Sequence, residues 1–171
     1  MKLCLIGHSF KYELEKLIRI FLPFEKIEFA EEAADGDGTA VTRLDKTADK
    51  TVLSALLSIN GKSYNKAYEL SNSADDYDNE CERLLAVALY DCFVSASGYV
   101  PEWGILTGVR PAKLFSRLAA ENGEANAENW FKNALKVSDE KISLCRSAVV
   151  SEGKITSLSR PDSFSLYISI P

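Results

Sequence analysis

The sequence holds a single histidine, His8, in 171 residues, which excludes every two-histidine metal site and every histidine cluster. Its four cysteines, Cys4, Cys81, Cys92 and Cys145, form no Cys-x-x-Cys pair, and their separations of 77, 11 and 53 match no zinc or iron–sulfur spacing. Cys81 and Cys92 return to the same side of a helix about 16 Å apart along its axis, too far for one metal ion. They read as free, mostly buried thiols of a protein in a reducing cytoplasm. No run approaches the ~18 apolar residues of a membrane span. The N-terminal MKLCLIGHSFKYELEK turns charged where a signal peptide would extend its apolar region. Positive charge is also scarce, with 20 Lys and Arg against 25 Asp and Glu, a net charge of −5. Residues 1–98 carry 11 basic and 17 acidic residues (−6), and residues 99–171 carry 9 and 8 (+1). Such a balance argues against broad attraction to nucleic acid, since basic excess is the usual footprint, and leaves open only a local patch in the second half.

What is present describes an ordinary globular chain, 46% hydrophobic with nine glycines and five prolines. A chain of this length buries roughly 68–70% of the surface it exposes unfolded, so a core needs neither disulfides nor a metal. Lys2–Ile6 is a short apolar run stopped by Gly7, a strand. Phe10, Leu14, Leu17, Ile18 and Phe21 follow on one helical face, with Ser9 as the expected N-cap and Pro23 as the stop. Lys26–Ala30 is a second short strand candidate, and the acidic, glycine-bearing stretch Glu31–Thr39 is a loop. Asp35 and Asp37 do not make a calcium loop, because Ala40 stands where an EF-hand needs glycine.

Ala40–Leu44 and Thr51–Ile59 are the next strands. Asn60-Gly61 supplies the positive backbone angles of a type I′ hairpin turn before a strand through Tyr64, Lys66, Tyr68 and Leu70. From Asn79 to Ser97, Cys81, Leu84, Leu85, Ala88, Leu89, Cys92 and Ala96 form a helical stripe, preceded by Asp75, Asp76 and Asp78 and ended by Gly98. Residues 1–98 therefore predict an α+β unit in the order β-α-β-β-β-β-α. Its small sheet should be mostly antiparallel, with helices covering one face. Residues 99–156 predict a helical subdomain. Pro111 opens one helix that Asn122-Gly123 stops, Ala127–Leu135 is a second, and Ser138 caps a third that Gly153 ends. Residues 157–171 are a linker and a strand, in which Phe164, Leu166, Ile168 and Ile170 alternate with polar neighbours up to the final residues.

The least generic segment is Pro101–Pro111, with two glycines, two prolines, Trp103 and Arg110 between predicted helices. Gly104 and Gly108 are four apart, but no Gly-Lys-Ser/Thr follows, so this is no P-loop. It reads either as a structural connector with Trp103 filling a gap, or as a docking loop or site rim. Arg110, Lys113 and Arg117 fall at i, i+3 and i+7, a basic stripe able to grip carboxylates or phosphates, or simply a solvated helix face. His8 stands between a strand and a helix N-terminus, as an anion-site residue or as a turn residue. Ser138-x-x-Lys141 matches a serine–lysine hydrolase pattern without its companion motifs, and Ser138 is better explained as a cap. No catalytic residue and no metal ligand set emerges from these residues.

Three stretches carry a family resemblance: Trp103–Leu118 strongly, Gly7–Pro23 more weakly, and the tetrad SDEK at Ser138–Lys141. With the terminal SLYISIP (Ser165–Pro171), they resemble the N-terminal region of the oxygen-independent coproporphyrinogen III oxidase-like radical S-adenosylmethionine proteins, in the coproporphyrinogen dehydrogenase branch. The pattern departs at Ala112, where the family has threonine. The resemblance implies an accessory domain whose last strand leads into a radical S-adenosylmethionine barrel. There, a Cys-x-x-x-Cys-x-x-Cys motif just beyond Pro171 would hold a [4Fe–4S] cluster that binds S-adenosylmethionine. It implies oxidative decarboxylation of coproporphyrinogen III to protoporphyrinogen IX in haem biosynthesis. No cofactor would sit in these 171 residues; their partners would be the barrel of the same chain and the tetrapyrrole. Trp103, Gly104, Thr107, Gly108, Arg110, Lys113 and Arg117 become the expected docking or substrate-binding residues. The alternative is a non-catalytic module that binds a protein partner or haem.

Overall fold

A computed structural model describes residues 1–108 and 110–157. The strand expected at 164–171 lies outside these residues. Five strands form one sheet: β1 (Lys2–Ile6), β2 (Glu28–Ala30), β3 (Thr39–Lys46), β4 (Lys50–Ile59) and β5 (Lys62–Ser71). Helix α1 (Lys11–Phe21) lies between β1 and β2 in sequence, and α2 (Tyr77–Ser97) follows β5. The element order predicted for 1–98 is therefore the one found.

The sheet order is β2-β1-β3-β4-β5, and the sheet is mixed rather than mostly antiparallel. β1 lies in parallel between β2 and β3, whereas β3–β4 and β4–β5 are antiparallel. The helical crossover through α1 brings β2 back parallel to β1, and the loop 31–38 then carries the chain past β1 to its other side. Only the hairpin-linked half is antiparallel. Its turn is as predicted: Asn60 and Gly61 take φ of +54° and +69°, and Gly61 N–H donates to Asp37 Oδ1 at 3.0 Å. Asp37 thus anchors a turn.

Alternation puts Leu3, Ala40, Leu53, Ala55 and Leu57 on the sheet face that meets Leu14, Leu17 and Ile18 of α1 and Leu85, Leu89 and Phe93 of α2 in one core. Gly98, at φ +71°, ends α2 with its N–H on the Val94 carbonyl. α1 begins one position later than Ser9 would require. Phe10 is the N-cap residue and makes no side-chain cap. Ser9 instead contributes its backbone carbonyl to Lys11 N–H at 2.7 Å.

The second unit comprises α3 (Pro111–Asn122), α4 (Glu124–Asn133) and α5 (Asp139–Thr156), which pack on one another around Phe115, Ala127, Phe131, Leu135, Val137, Ile142 and Cys145. Ser138 caps α5 as expected, its Oγ accepting from Lys141 N–H. α5 runs through Gly153 to Thr156, so this glycine does not stop it. A lone glycine costs about 1 kcal/mol within a helix, too little to end one whose neighbours continue.

Candidate functional site

The chain crosses between the two units along residues 98–110, and the docking of this connector follows from a few positions. Gly104 takes φ +56°, and a methyl group there would stand 2.0 Å from the Leu135 carbonyl oxygen. Only glycine lets the connector lie this close to the α4–α5 loop. Ile105 N–H donates to that same Leu135 carbonyl at 2.9 Å, and Ser138 N–H donates to the Glu102 carbonyl at 2.8 Å. The Ile105 side chain packs against both cores. From α2, Arg83 donates to the Ala134 carbonyl at 3.1 Å while its Nε and Nη2 hold Glu80 at 3.0 and 2.7 Å. Lys141 pairs with Glu102 at 2.9 Å and lies over the Trp103 ring.

Three depressions surround this connector. The first, of about 460 Å³, is lined by Lys16, Arg19 and Ile20 of α1 together with Tyr99, Pro101, Glu102, Trp103, Leu106 and Thr107. It combines two cations with two aromatic rings. The second, of about 500 Å³, runs between α2 and α3, has an apolar floor and is rimmed by Glu13, Asp76, Glu80, Glu82 and Glu121 with Arg83 and Arg117. The third, of about 680 Å³, lies between α3 and α5 and is lined by Arg110, Ala112, Lys113, Ser116, Val149, Glu152, Gly153 and Thr156.

The seven expected site residues therefore do not converge on one spot. Gly104 is buried and structural, and Trp103 is half-buried against the helical core. Thr107 is exposed on the ridge between the first two depressions. The basic stripe divides. Arg110 and Lys113 share the α3–α5 cleft with Glu152 as the acidic side chain there, whereas Arg117 faces the carboxylate-rich groove with Gly108. Arg110 holds a left-handed backbone, φ +70° and ψ +55°, immediately before Pro111 at the first turn of α3. Proline disfavours the right-handed helical conformation in the residue before it, which helps turn the chain here.

His8 is a turn residue. Its Nδ1 faces Phe10 N–H at 3.4 Å and its Nε2 lies 3.1 Å from Thr42 Oγ1, which donates to the Cys4 carbonyl. Burial pushes its pKa below the ordinary histidine value, so the ring is neutral at pH 7. All four cysteines are free and buried. Burial, then the Asp91 carboxylate, pushes Cys92 up to about 11, and burial raises Cys81 and Cys145. These thiols are poor nucleophiles and poor ligands. Among the described residues, no three His, Cys, Asp or Glu side chains gather as a metal site.

Sequence reasoning missed Lys16, Arg19, Tyr99 and Arg83. Lys16 and Arg19 sit i, i+3 on the polar side of α1, a signal too common to single out. Among the described residues, no helix is long and apolar enough to cross a membrane. Compared with protein-family models, with curated proteins and with solved structures, the chain matches none.

Proposed function

We propose that this chain is the N-terminal accessory domain of a cytoplasmic radical S-adenosylmethionine oxidoreductase of haem biosynthesis, acting on coproporphyrinogen III. The observation that carries the proposal is the segment Trp103–Lys113, with the sequence pattern of that enzyme group and a conformation that presents Arg110 and Lys113 on one cleft. The cluster and S-adenosylmethionine belong to a barrel outside the described residues, so no chemical step is assigned to this chain. Its part is positioning. Thr156, near the end of α5, lines the same cleft as Arg110 and Lys113, so a barrel following α5 would meet these cations. A guanidinium beside an ammonium suits the propionate carboxylates of a tetrapyrrole. Arg117 is left out of this role, because the carboxylates around it repel an anion.

The test is charge reversal in the full-length protein. Arg110→Glu with Lys113→Glu lowers coproporphyrinogen turnover or binding at least tenfold if the cleft meets the substrate. Unchanged kinetics and binding reject the substrate role. The family assignment itself fails if the reading frame beyond codon 171 continues without a Cys-x-x-x-Cys-x-x-Cys motif.

A second reading has its own observation. The depression lined by Lys16, Arg19, Tyr99 and Trp103 offers rings and cations suited to a flat anionic macrocycle, as a non-catalytic haem module needs. Mixing the isolated chain with haem then shifts the Soret band, and Trp103→Ala with Arg19→Glu abolishes the shift. No shift removes this reading.

A further inference from the structure

The groove between α2 and α3 is built from two parallel sets of positions. α2 lines it with Asn79, Glu80, Glu82, Arg83 and Ala86, of which Asn79, Glu82, Arg83 and Ala86 fall at i, i+3, i+4 and i+7, and α3 lines it with Leu114, Arg117, Leu118 and Glu121 at the same spacing. Each wall therefore runs two helical turns, about 10 Å. Ile105, Leu106, Leu114, Leu118, Trp130 and Leu135 supply apolar lining. A groove of this form receives the apolar face of an amphipathic helix, whose anchors recur with the same spacing.

Charge specifies the helix. Five carboxylates rim the groove against two guanidinia, and Arg83 is already engaged by Glu80 and the Ala134 carbonyl. Asp76 has both carboxylate oxygens on the Asn79 amide, at 2.7 and 2.8 Å. Among the described residues, no cation lies within 4.0 Å of Glu13, Glu82 or Glu121. Burial, with the Glu13 carboxylate added, pushes Glu82 above the ordinary carboxylate range. A cation placed between α1 and α2 relieves that repulsion.

We infer that the α2–α3 groove is a docking site for a basic amphipathic helix of a partner protein, whose leucine-like anchors seat on the floor and whose lysines or arginines meet Glu13, Glu82 and Glu121. The inference requires nothing of the tetrapyrrole reading, which rests on the opposite side of α3. Docked there, the helix touches α1, α2, α3 and the connector together, and so adds to the links that residues 98–110 and the Arg83–Ala134 hydrogen bond make between the two units.

The probe is a synthetic peptide of about 14 leucine and lysine residues, four helical turns, with leucines at the i, i+3, i+4, i+7 positions. A scrambled peptide of identical composition is the control. Binding to the 171-residue chain is measured by calorimetry, and Trp130 is followed by fluorescence in a Trp103→Phe background. The amphipathic peptide is expected to bind at least tenfold tighter than the scrambled one and to shift Trp130 emission. Glu82→Lys with Glu121→Lys should weaken it at least tenfold while the circular dichroism spectrum is unchanged. Equal binding of the two peptides overturns the proposal, whatever the variant does. So does retained affinity in the double variant. If the groove is instead filled by a second copy, sedimentation shows a dimer that the double variant dissociates, and that result also overturns it.

Discussion

The two units of this protein bury their apolar residues on different scales. In residues 1–98, a sheet face and two helices enclose one core that includes Leu3, Leu14, Leu17, Ile18, Leu53, Leu57, Leu85, Leu89 and Phe93. In residues 111–157, three helices close around Phe115, Phe131 and a handful of smaller side chains. A unit below about 60 residues is marginal on its own, because too little of its surface is removed from water. The sheet unit is thus the scaffold. The helical unit closes around its own smaller core, is tied to the sheet unit through the connector and Arg83, and lines the second and third depressions. Sites for partners are commonly drawn from the less stable part of a molecule.

The largest effect that would break this comparison comes from Gly104. Gly104→Val must push back the Leu135 carbonyl, and a loss of about 3 kcal/mol or more is expected. That loss should appear as lost helicity and a changed Trp103 environment, with the sheet's hydrogen exchange kept. Next comes a matched pair of truncations. Phe131→Ala and Phe93→Ala each cost about 3–5 kcal/mol by burial and cavity terms. Only the second should lower the main thermal transition, while the first melts α3–α5 below it.

An alkaline titration of a Tyr68 variant against the parent chain probes the sheet unit. Desolvation, then the Asp91 carboxylate that accepts its hydroxyl, raises Tyr68 to about 12. A pKa raised in the folded state contributes stability that is complete below pH 10 and lost as pH rises through about 12. Tyr68→Phe should remove that part of the alkaline loss, read from urea midpoints between pH 9 and 12. The smallest effect is at the α5 cap. Ser138→Ala costs about 1 kcal/mol, confined to the helical unit, and is read from the exchange of the Lys141 amide.

The fold was legible where information is local. Asn60-Gly61 needed only the turn's own backbone angles, and Ser138 and Gly98 needed only their helix ends. The parallel half of the sheet was not legible, because pairing β1 with β2 and β3 depends on crossovers rather than on the composition of any strand. Ser9 had the right chemistry one residue too early, and Gly153 had the right chemistry inside a helix that tolerates it.

The candidate site divides the same way. The Pro101–Pro111 segment stood out through its glycines, prolines and tryptophan, and it is the connector between units. The basic stripe that begins within it lines two depressions rather than one. Spacing reports which residues share a helix face, but the neighbours of that face come from other elements. Carboxylates of α1 and α2 claim the surroundings of Arg117, while α5 frames Arg110 and Lys113.

The cysteines offer the most direct test of the inequality between the two units. Cys4, Cys81 and Cys92 are buried in the sheet unit and Cys145 in the helical unit, so all four report opening rather than surface exposure. Thiol labelling of the native chain, resolved residue by residue by mass spectrometry and normalised to each thiol's rate in urea, measures how often each unit opens. Cys145 is expected to be labelled at least tenfold faster than Cys4, Cys81 and Cys92. Equal rates for all four would mean that the chain opens as one body and would contradict it.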